Sequence, residues 1–298
     1  KSLMGNILVT GGSGMVGKHL KKILPNAHYI SSKDGDLRDP VYVRWLLSSY
    51  TPKTVVHLAA KVGGIQENID KPAEYFDDNI LINTNVLKSS YENNVKNFIG
   101  VLSTCIYPDK MEKYPMTEDD LFLGPPTPTN FSYGYVKRCL AVQINAYNKQ
   151  YGTNYNYLIP CNLYSELDNF HHNTKMHFVT ALLKKIKESS GELNLLGTGK
   201  PLRQFMYAGD FARIIKKTID EGITENFNVA FPKNYTINEL AEKALGSLKK
   251  DYYIKYSKPE LDGQYRKDVD ITKMMRLFPD FKFTSFEEGI KKVYDKIS

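Results

Sequence analysis

The chain has 298 residues, of which 42% are hydrophobic, and a formal net charge of +7 at pH 7. That length suits one large domain or two smaller ones around a cleft. No apolar run approaches the ~20 residues of a membrane span, and the lysines lack the interleaved aromatic residues of a nucleic-acid-binding surface. The three cysteines form neither a disulfide framework nor a metal-ligand spacing. We therefore expect a cytoplasmic protein with no metal and with neither a membrane nor a nucleic acid as partner.

The first element is a predicted strand over residues 6–10, and a glycine-rich turn follows it directly. The turn reads Gly11-x-x-Gly14-x-x-Gly17 and leads into a predicted helix over residues 18–24. One glycine allows the tight turn, one lets backbone N–H groups approach a pyrophosphate, and one lets helix and strand pack closely. The helix N-terminus adds a partial positive charge. This order of strand, turn and helix predicts a dinucleotide-binding site.

The second predicted strand, over residues 28–30, is followed by Ser31-Ser32-Lys33. NAD-binding sheets carry an acidic residue at this position, which binds the ribose 2′-hydroxyl. Two hydroxyls and an ammonium suit a 2′-phosphate instead, so the sequence favours NADP as the cofactor. Asp34 and Asp36 keep NAD open as an alternative, because either carboxylate can face the ribose. Asp36 and Leu37 are expected beside the adenine.

The rest of the chain alternates strands with helices as far as residue 160. Further strands are predicted over 54–58, 97–102 and 155–159, and helices over 40–50, 72–94 and 131–150. This alternation predicts parallel strands joined by right-handed crossovers. Beyond residue 160 we predict a helix at 178–187, short strand-like pieces at 193–197 and 227–230, and helices at 236–248 and 285–297.

These elements predict an α/β fold in two parts. The first part, residues 1–160, is a doubly wound parallel Rossmann sheet that binds NADP, and a later segment near 203–225 returns to it. The remainder of 161–298 is a smaller C-terminal α/β cap that binds the substrate. We expect the cap to close over the carboxyl ends of the strands, where ligands bind in open α/β sheets.

The helix predicted at 131–150 carries a tyrosine and a lysine that suit proton transfer. Tyr133 and Lys137 are four residues apart, so they lie one turn apart on the same helix face. A neighbouring ammonium favours the phenolate and lowers the pKa of the phenol, which suits a proton-transfer group near neutral pH. Ser103 and Thr104 directly follow the strand predicted at 97–102. Either hydroxyl can hydrogen-bond a substrate carbonyl together with Tyr133.

Together these motifs resemble the extended short-chain dehydrogenase/reductase family. Longer stretches are similar to those members that act on GDP-linked 4-keto-6-deoxy sugars. The stretches are His-Leu-Ala-Ala-Lys-Val-Gly-Gly at 57–64, Leu-Ser-Thr-Cys-Ile-Tyr-Pro at 102–108, residues 132–138, Asn162-Leu163-Tyr164 with Asp168-Asn169-Phe170, residues 197–205 and residues 262–267. The resemblance implies NADPH-dependent 3,5-epimerisation and 4-reduction of GDP-4-keto-6-deoxy-D-mannose. It also implies a homodimer formed through helices 72–94 and 131–151.

The resemblance implies catalytic roles, residue by residue. Ser103 matches the family's catalytic serine, and Tyr133 matches the acid that protonates the C4 oxygen during reduction. Lys137 matches the residue that holds the nicotinamide ribose and keeps the pKa of the tyrosine low. Cys105 matches the base of epimerisation and His177 matches its acid.

Binding roles are implied in the same way. Cofactor contacts are implied for Gly11, Gly14, Met15, Val16, Gly17, Ser32, Lys33, Asp36, Leu37, Leu58, Ala59, Ala60, Tyr133, Lys137 and His177. Substrate contacts are implied for Asn162, Lys185, Arg203 and Lys267, of which the cations suit the pyrophosphate of a GDP-sugar. His171 and His172 lie near His177 and are rival acids.

Two departures from the family's pattern concern the substrate. Ser165-Glu166 stands where the family usually has Gly-Pro, and Leu196 stands where members often have a tryptophan. A reductase or epimerase acting on another nucleotide-linked 4-keto-6-deoxy sugar is therefore an alternative. A non-catalytic NADP-binding protein on the same fold is a second alternative, although such a protein is expected to lose Tyr133 or Lys137.

Overall fold

The computed structural model describes residues 6–63, 65–168 and 177–297, with only the backbone of Ile65. Its strands are β1 (Ile7–Thr10), β2 (His28–Ile30), β3 (Thr54–His57), β4 (Asn97–Val101), β5 (Asn156–Pro160), β6 (Asn162–Tyr164), β7 (Glu192–Leu196), β8 (Leu202–Arg203), β9 (Phe205–Tyr207), β10 (Phe227–Val229), β11 (Tyr235–Thr236) and β12 (Tyr253–Ser257). Its α-helices are α1 (Met15–Ile23), α2 (Pro40–Tyr50), α3 (Ile65–Asp70), α4 (Pro72–Glu92), α5 (Phe131–Tyr151), α6 (Phe178–Glu188), α7 (Ala208–Asp220), α8 (Ile237–Ser247), α9 (Thr272–Leu277) and α10 (Phe286–Tyr294).

A central sheet of six parallel strands organises the molecule. The strand order is β2-β1-β3-β4-β5-β10. Every residue of β1, β3 and β5 is buried, as expected for a parallel sheet covered on both faces. The chain runs outward from β1 to β2 and then crosses to β3 on the other side of β1. The predicted doubly wound α/β sheet is therefore confirmed, with its topological switch point between β1 and β3.

Local sequence signals set the ends of the helices that cover the sheet. Asp39 accepts a hydrogen bond from the backbone N–H of Val41 at 2.8 Å and so caps α2, which begins with proline. Gly152 has a φ of 66° and ends α5 in the left-handed conformation that favours glycine. α4 packs between α2 and α5, and α1 packs against α7. The long helices predicted at 72–94 and 131–150 are thus observed within two residues of their predicted ends.

The described residues form two hydrophobic cores. The larger one surrounds the central sheet and includes residues of α7, β10 and α9. The smaller one lies among α6, α8, α10, β7 and β9, beside the two-stranded pairs β6-β9, β7-β12 and β8-β11. We propose that the two cores mark two domains.

One placement in the sequence analysis needs correction. The pattern groups residues 227–230 with the cap, whereas the structure pairs β10 with β5 as the sixth strand of the central sheet. Phe227 and Val229 are fully buried against that sheet, and a three-residue strand carries no sequence signal of the sheet to which it belongs. The short helices α3 and α9, of six residues each, are not predicted because they are too short to show helical periodicity. No helix in the described part of the chain is both long and apolar enough to cross a membrane.

Candidate active site

A cavity of about 850 Å³ lies at the carboxyl ends of the sheet strands. The segments that follow β1, β2, β3, β4 and β5 all line it, as expected for a ligand site at a topological switch point. The predicted site residues that line it are Gly11, Gly14, Met15, Val16, Ser32, Asp36, Leu37, Leu58, Ala59, Ala60, Ser103, Tyr133, Lys137, Asn162 and His177. Those that are not among its lining residues are Gly17, Lys33, Cys105, Lys185, Arg203 and Lys267.

The glycine turn after β1 leaves room for a pyrophosphate. Gly11 has a φ of 69°, and a β-carbon there would lie 2.7 Å from the backbone nitrogen of Ala59. A β-carbon on Gly17 would lie 2.6 Å from the carbonyl oxygen of Gly12, so this glycine lets α1 pack against the turn. α1 begins after Gly14 with no acidic side chain in its first turn. The turn therefore suits a dinucleotide, with the helix N-terminus facing the phosphates.

An arginine that the sequence analysis overlooks lies at the adenosine end of the cavity. Arg38 lines the cavity beside Ser32 and Asp36. Its guanidinium contacts Asp36 at 2.8 Å and Asp78 at 2.9 Å, and Arg38 holds the pKa of the Asp36 carboxyl below its usual range. An arginine near the end of the second strand is the group that accommodates a 2′-phosphate. The sequence feature that could have identified Arg38 is its position, as a basic residue two positions after Asp36.

Of the two acidic alternatives, Asp36 lines this end of the cavity, whereas Asp34, like the predicted Lys33, does not. Asp34 accepts hydrogen bonds from the backbone N–H and the hydroxyl of Ser31, at 2.7 and 2.9 Å, so its carboxylate is bound within its own turn. Lys33 is exposed and does not line the cavity. Ser32 and Arg38 therefore line the adenosine end of the cavity, whereas Lys33 does not.

Tyr133 and Lys137 lie together on the cavity wall. The Lys137 ammonium is 5.8 Å from the centre of the Tyr133 ring, and it donates a hydrogen bond to the carbonyl oxygen of Val101 at 3.1 Å. Ser103 lines the same cavity, whereas Thr104 is buried and does not. The Ser103 hydroxyl also accepts a hydrogen bond from the backbone N–H of Cys105 at 3.4 Å. Of the two candidate hydroxyls, Ser103 is therefore the one that can reach a ligand.

The pKa values of this pair correct one prediction. Burial raises the pKa of Tyr133, and the neighbouring Cys105 raises it further. Burial also lowers the pKa of Lys137 to about 8. The expectation that the ammonium lowers the pKa of the tyrosine is therefore wrong for this structure, because burial disfavours the charged phenolate. A phenol that stays protonated at neutral pH suits a proton donor.

Two residues that the sequence analysis does not single out join this helix to the turn after β4. Arg138 donates two hydrogen bonds to the carbonyl oxygen of Ile106, at 3.0 and 2.5 Å. A β-carbon on Gly134 would lie 3.0 Å from the carbonyl oxygen of Cys105, so glycine permits this close approach. α5 therefore holds Tyr133 at a fixed position relative to the 103–106 turn.

His177 reaches the cavity from the cap. It is the N-cap residue of α6, its side chain is 52% exposed, and its Nδ1 atom lies 2.9 Å from a carboxylate oxygen of Asp168. Asp168 is itself buried, and the sequence analysis assigns it no role. The rival acids His171 and His172 lie outside the described residues, as do Gly64, Asn169 and Phe170 of the family-like stretches.

The cap cations separate into a pair and a single residue. The backbone N–H of Leu202 donates to the carbonyl oxygen of Tyr265 at 2.8 Å, which brings Arg203 and Lys267 towards each other. Burial lowers the pKa of Lys267, Cys105 raises it, and the Arg203 charge lowers it. Lys185 instead donates to the carbonyl oxygen of Asn194 at 2.8 Å and is exposed. Arg203 and Lys267 are therefore neighbours, while Lys185 lies at the surface.

Comparisons with known proteins show which family and fold the chain resembles. Residues 7–230 match the NAD dependent epimerase/dehydratase family. A GDP-L-fucose synthase of Dictyostelium discoideum is 36% identical, over 96% of this chain and 93% of that protein. A GDP-L-colitose synthase of Yersinia pseudotuberculosis is 32% identical, over 96% of each chain. The crystal structure of a GDP-L-fucose synthetase from Naegleria fowleri bound to NADP is 33% identical, has a TM-score of 0.88, and covers 99% of this chain and 93% of that chain.

Proposed function

This chain belongs to the NAD dependent epimerase/dehydratase family, and we propose that it converts GDP-4-keto-6-deoxy-D-mannose into GDP-L-fucose. It is an NADP(H)-dependent enzyme that combines 3,5-epimerisation with 4-reduction of the sugar. The observation that carries this proposal is that Ser103, Tyr133 and His177 line one cavity with the glycine turn of a dinucleotide site. One site then serves every step, because each step develops charge on the same C4 oxygen.

Epimerisation requires a base, an acid and a stabilised enolate. The protons at C3 and C5 flank the C4 ketone, so removing either one produces an enolate whose charge lies largely on the C4 oxygen. The hydroxyls of Ser103 and Tyr133 suit hydrogen bonding to that oxygen. We assign Cys105 as the base that takes the proton and His177 as the acid that returns one to the opposite face.

Reduction uses the same hydroxyls. NADPH, when bound, supplies the hydride that adds to C4. Tyr133 gives its proton to the C4 oxygen, and burial keeps that proton on the phenol at neutral pH. Lys137 is held by the carbonyl of Val101, close enough to Tyr133 to bind a ribose hydroxyl beside it. We assign Arg203, Lys267 and Asn162 to the GDP-sugar. Lys185 is left out of this group because its ammonium is bound to the carbonyl oxygen of Asn194.

A second candidate substrate is another nucleotide-linked 4-keto-6-deoxy sugar. The similarity to a GDP-L-colitose synthase favours keeping it. Leu196, where members of the family often have a tryptophan, is 56% exposed at the end of β7. A leucine at this position has no aromatic ring to stack against the base of the nucleotide.

We also propose that the protein is a homodimer formed through α4 and α5. These helices pack side by side and leave Leu81 46% and Val142 51% exposed. Exposed apolar side chains on adjacent helices suit burial against a second copy. We expect the wild type to be dimeric by gel filtration with light scattering, and Leu81→Glu with Val142→Glu to be monomeric. A monomeric wild type would contradict this proposal.

The cytoplasm is the location that we propose. Cys105, Cys139 and Cys161 are all free, which a reducing compartment would maintain. Cell fractionation with an antibody to the protein tests this, and recovery in a membrane or secreted fraction would count against it.

The experiment that tests the activity is product identification. The purified protein is given NADPH and a panel of 4-keto-6-deoxy sugar nucleotides, and each product is identified by NMR. We expect GDP-4-keto-6-deoxy-D-mannose to give GDP-L-fucose with one NADPH consumed per product. In D₂O without NADPH, we expect Cys105→Ser to slow deuterium exchange at C3 and C5 by about 100-fold, and Cys139→Ser, on α5 and with no assigned role, to leave it unchanged. Faster turnover of another sugar nucleotide would replace the proposed substrate.

A further inference from the structure

A buried carboxylate lies directly behind the histidine of the cap. Asp168 has a side chain that is 5% exposed, and its Oδ2 atom lies 2.9 Å from Nδ1 of His177. The hydroxyl of Thr180, which is fully buried on α6, donates a hydrogen bond to the same oxygen at 2.9 Å. Thr180 and His177 are three residues apart at the start of α6, so one turn of helix presents both groups to the carboxylate.

This arrangement fixes which nitrogen of His177 carries a proton. An ionised carboxylate only accepts hydrogen bonds, so the contact with Asp168 requires a proton on Nδ1. Nε2 is then the nitrogen left for a molecule in the cavity that His177 lines. When His177 acts as an acid, it gives the proton on Nε2, while Nδ1 keeps its own proton in the contact with Asp168.

The turn that carries Asp168 contacts α1, the helix that follows the glycine turn. The backbone N–H of Asp168 donates a hydrogen bond to the carbonyl oxygen of Ser165 at 3.2 Å. The Ser165 hydroxyl accepts a hydrogen bond from the backbone N–H of Leu167 at 2.9 Å. The same hydroxyl lies 2.6 Å from Nε2 of His19, a buried residue of α1. Asp168 therefore does not depend on the neighbouring cap residues alone for its position.

We propose that Asp168 is a positioning residue for epimerisation, which holds His177 with Nδ1 protonated and Nε2 directed to the substrate, and that Thr180 fixes the carboxylate. This proposal rests on the proposed function. In each inversion the Cys105 thiolate takes the proton from C3 or C5 and becomes a thiol. The enolate carbon takes the Nε2 proton from the His177 imidazolium, which becomes a neutral ring that keeps its Nδ1 proton on Asp168. Exchange with solvent then returns one proton to His177 and removes one from Cys105.

The test compares Asp168→Asn with Asp251→Asn, a matched change at an exposed position. In D₂O without NADPH, we expect Asp168→Asn to slow deuterium exchange at C3 and C5 by about 100-fold and Asp251→Asn to leave it unchanged. NADPH affinity, measured by fluorescence, stays within about two-fold of wild type and shows that the fold is intact. Thr180→Val is expected to slow exchange, and Thr180→Ser to restore it. Exchange within about two-fold of wild type in Asp168→Asn would overturn the proposal.

A double variant separates positioning from a general structural effect. If Asp168 acts through His177, Asp168→Asn with His177→Gln exchanges no more slowly than His177→Gln alone. A further loss in the double variant would overturn the proposal.

An activity-independent readout separates this proposal from the proposed function. The ¹⁵N chemical shifts of the His177 ring report its tautomer, and we expect the neutral wild-type ring to carry its proton on Nδ1 and the Asp168→Asn ring to shift towards Nε2. A wild type that neither exchanges nor reduces this sugar nucleotide would refute the proposed substrate, while the tautomer still decides the role of Asp168.

Discussion

The proposed reducing centre and the proposed acid of epimerisation are built in different ways. Tyr133 and Lys137 lie on α5, a helix of 21 residues that is bonded to the turn after β4. His177 lies at the start of α6, a helix of 11 residues in the cap, with half of its side chain exposed. In the proposed roles, Tyr133, the proton donor to C4, packs against the larger core, which also includes Cys105. His177, the proposed acid of epimerisation, comes instead from the cap.

The largest expected effect concerns the proposed reducing centre on α5. Tyr133→Phe removes the proton donor for C4, so we expect NADPH oxidation with GDP-4-keto-6-deoxy-D-mannose to fall by about 100-fold or more. NADPH affinity should change little, because the ring remains. Tyr135→Phe is the matched control, since Tyr135 packs its ring 5.2 Å from Arg138 and does not line the cavity. Turnover of Tyr133→Phe near that of wild type would remove Tyr133 from the reduction.

Burial also gives Lys137 a measurable effect on stability. Its pKa falls from the usual 10.5 to about 8 in the folded protein, so between those values the unfolded chain binds more protons. The free energy of unfolding therefore rises with pH in this window. At 1.36 kcal/mol per pKa unit the contribution is about 2 to 3 kcal/mol between pH 7 and pH 10.

The measurement is urea unfolding of wild type and Lys137→Met at pH 7, 8, 9 and 10. Methionine keeps the length of the side chain without its charge, so only the wild type gains this contribution on going to pH 10. The difference between the two proteins should change by that amount in favour of the wild type. If the difference in free energy of unfolding between the two proteins is constant with pH, Lys137 keeps an ordinary pKa. The contrast between the buried groups on α5 and the exposed His177 would then weaken.

The sequence predicts the dinucleotide site and the Tyr133–Lys137 pair better than it predicts the cap, for physical reasons. The glycine turn and the Tyr133–Lys137 spacing are local patterns, because one strand, turn or helix sets their geometry. The partners of functional residues are not local: Asp168 meets His177 across nine positions, and Arg138 meets Ile106 across 32 positions. Desolvation is also invisible in the sequence, which is why the pKa of Tyr133 is predicted in the wrong direction.

The next effect separates the cap cations from one another. Arg203→Gln and Lys267→Gln are each expected to raise KM for the GDP-sugar by about 10-fold, since each removes a charge-assisted contact with a phosphate. Lys185→Gln is expected to change KM by less than about three-fold, because its ammonium is bound to the carbonyl of Asn194 at the surface. The KM for NADPH is the internal control. A larger effect at Lys185 than at Arg203 would place the pyrophosphate along α6 instead.

The smallest effect tests whether the two cores unfold together. Thr236 and Glu239 form a capping box at the start of α8 in the smaller core, with contacts of 2.7 and 3.0 Å, and Asp39 caps α2 in the larger one. Thr236→Ala and Asp39→Ala should each lower the free energy of unfolding by about 1 kcal/mol and leave activity unchanged.

Trp45, the single tryptophan, lies on α2, so its fluorescence follows the larger core. The chain passes repeatedly between the cores, through β9 to α7 and again through β10 to β11, so we expect Thr236→Ala to shift the Trp45 transition as much as Asp39→Ala does. If Thr236→Ala shifts only the circular dichroism signal, the cap unfolds by itself, and the difference between the two regions extends from their chemistry to their stability.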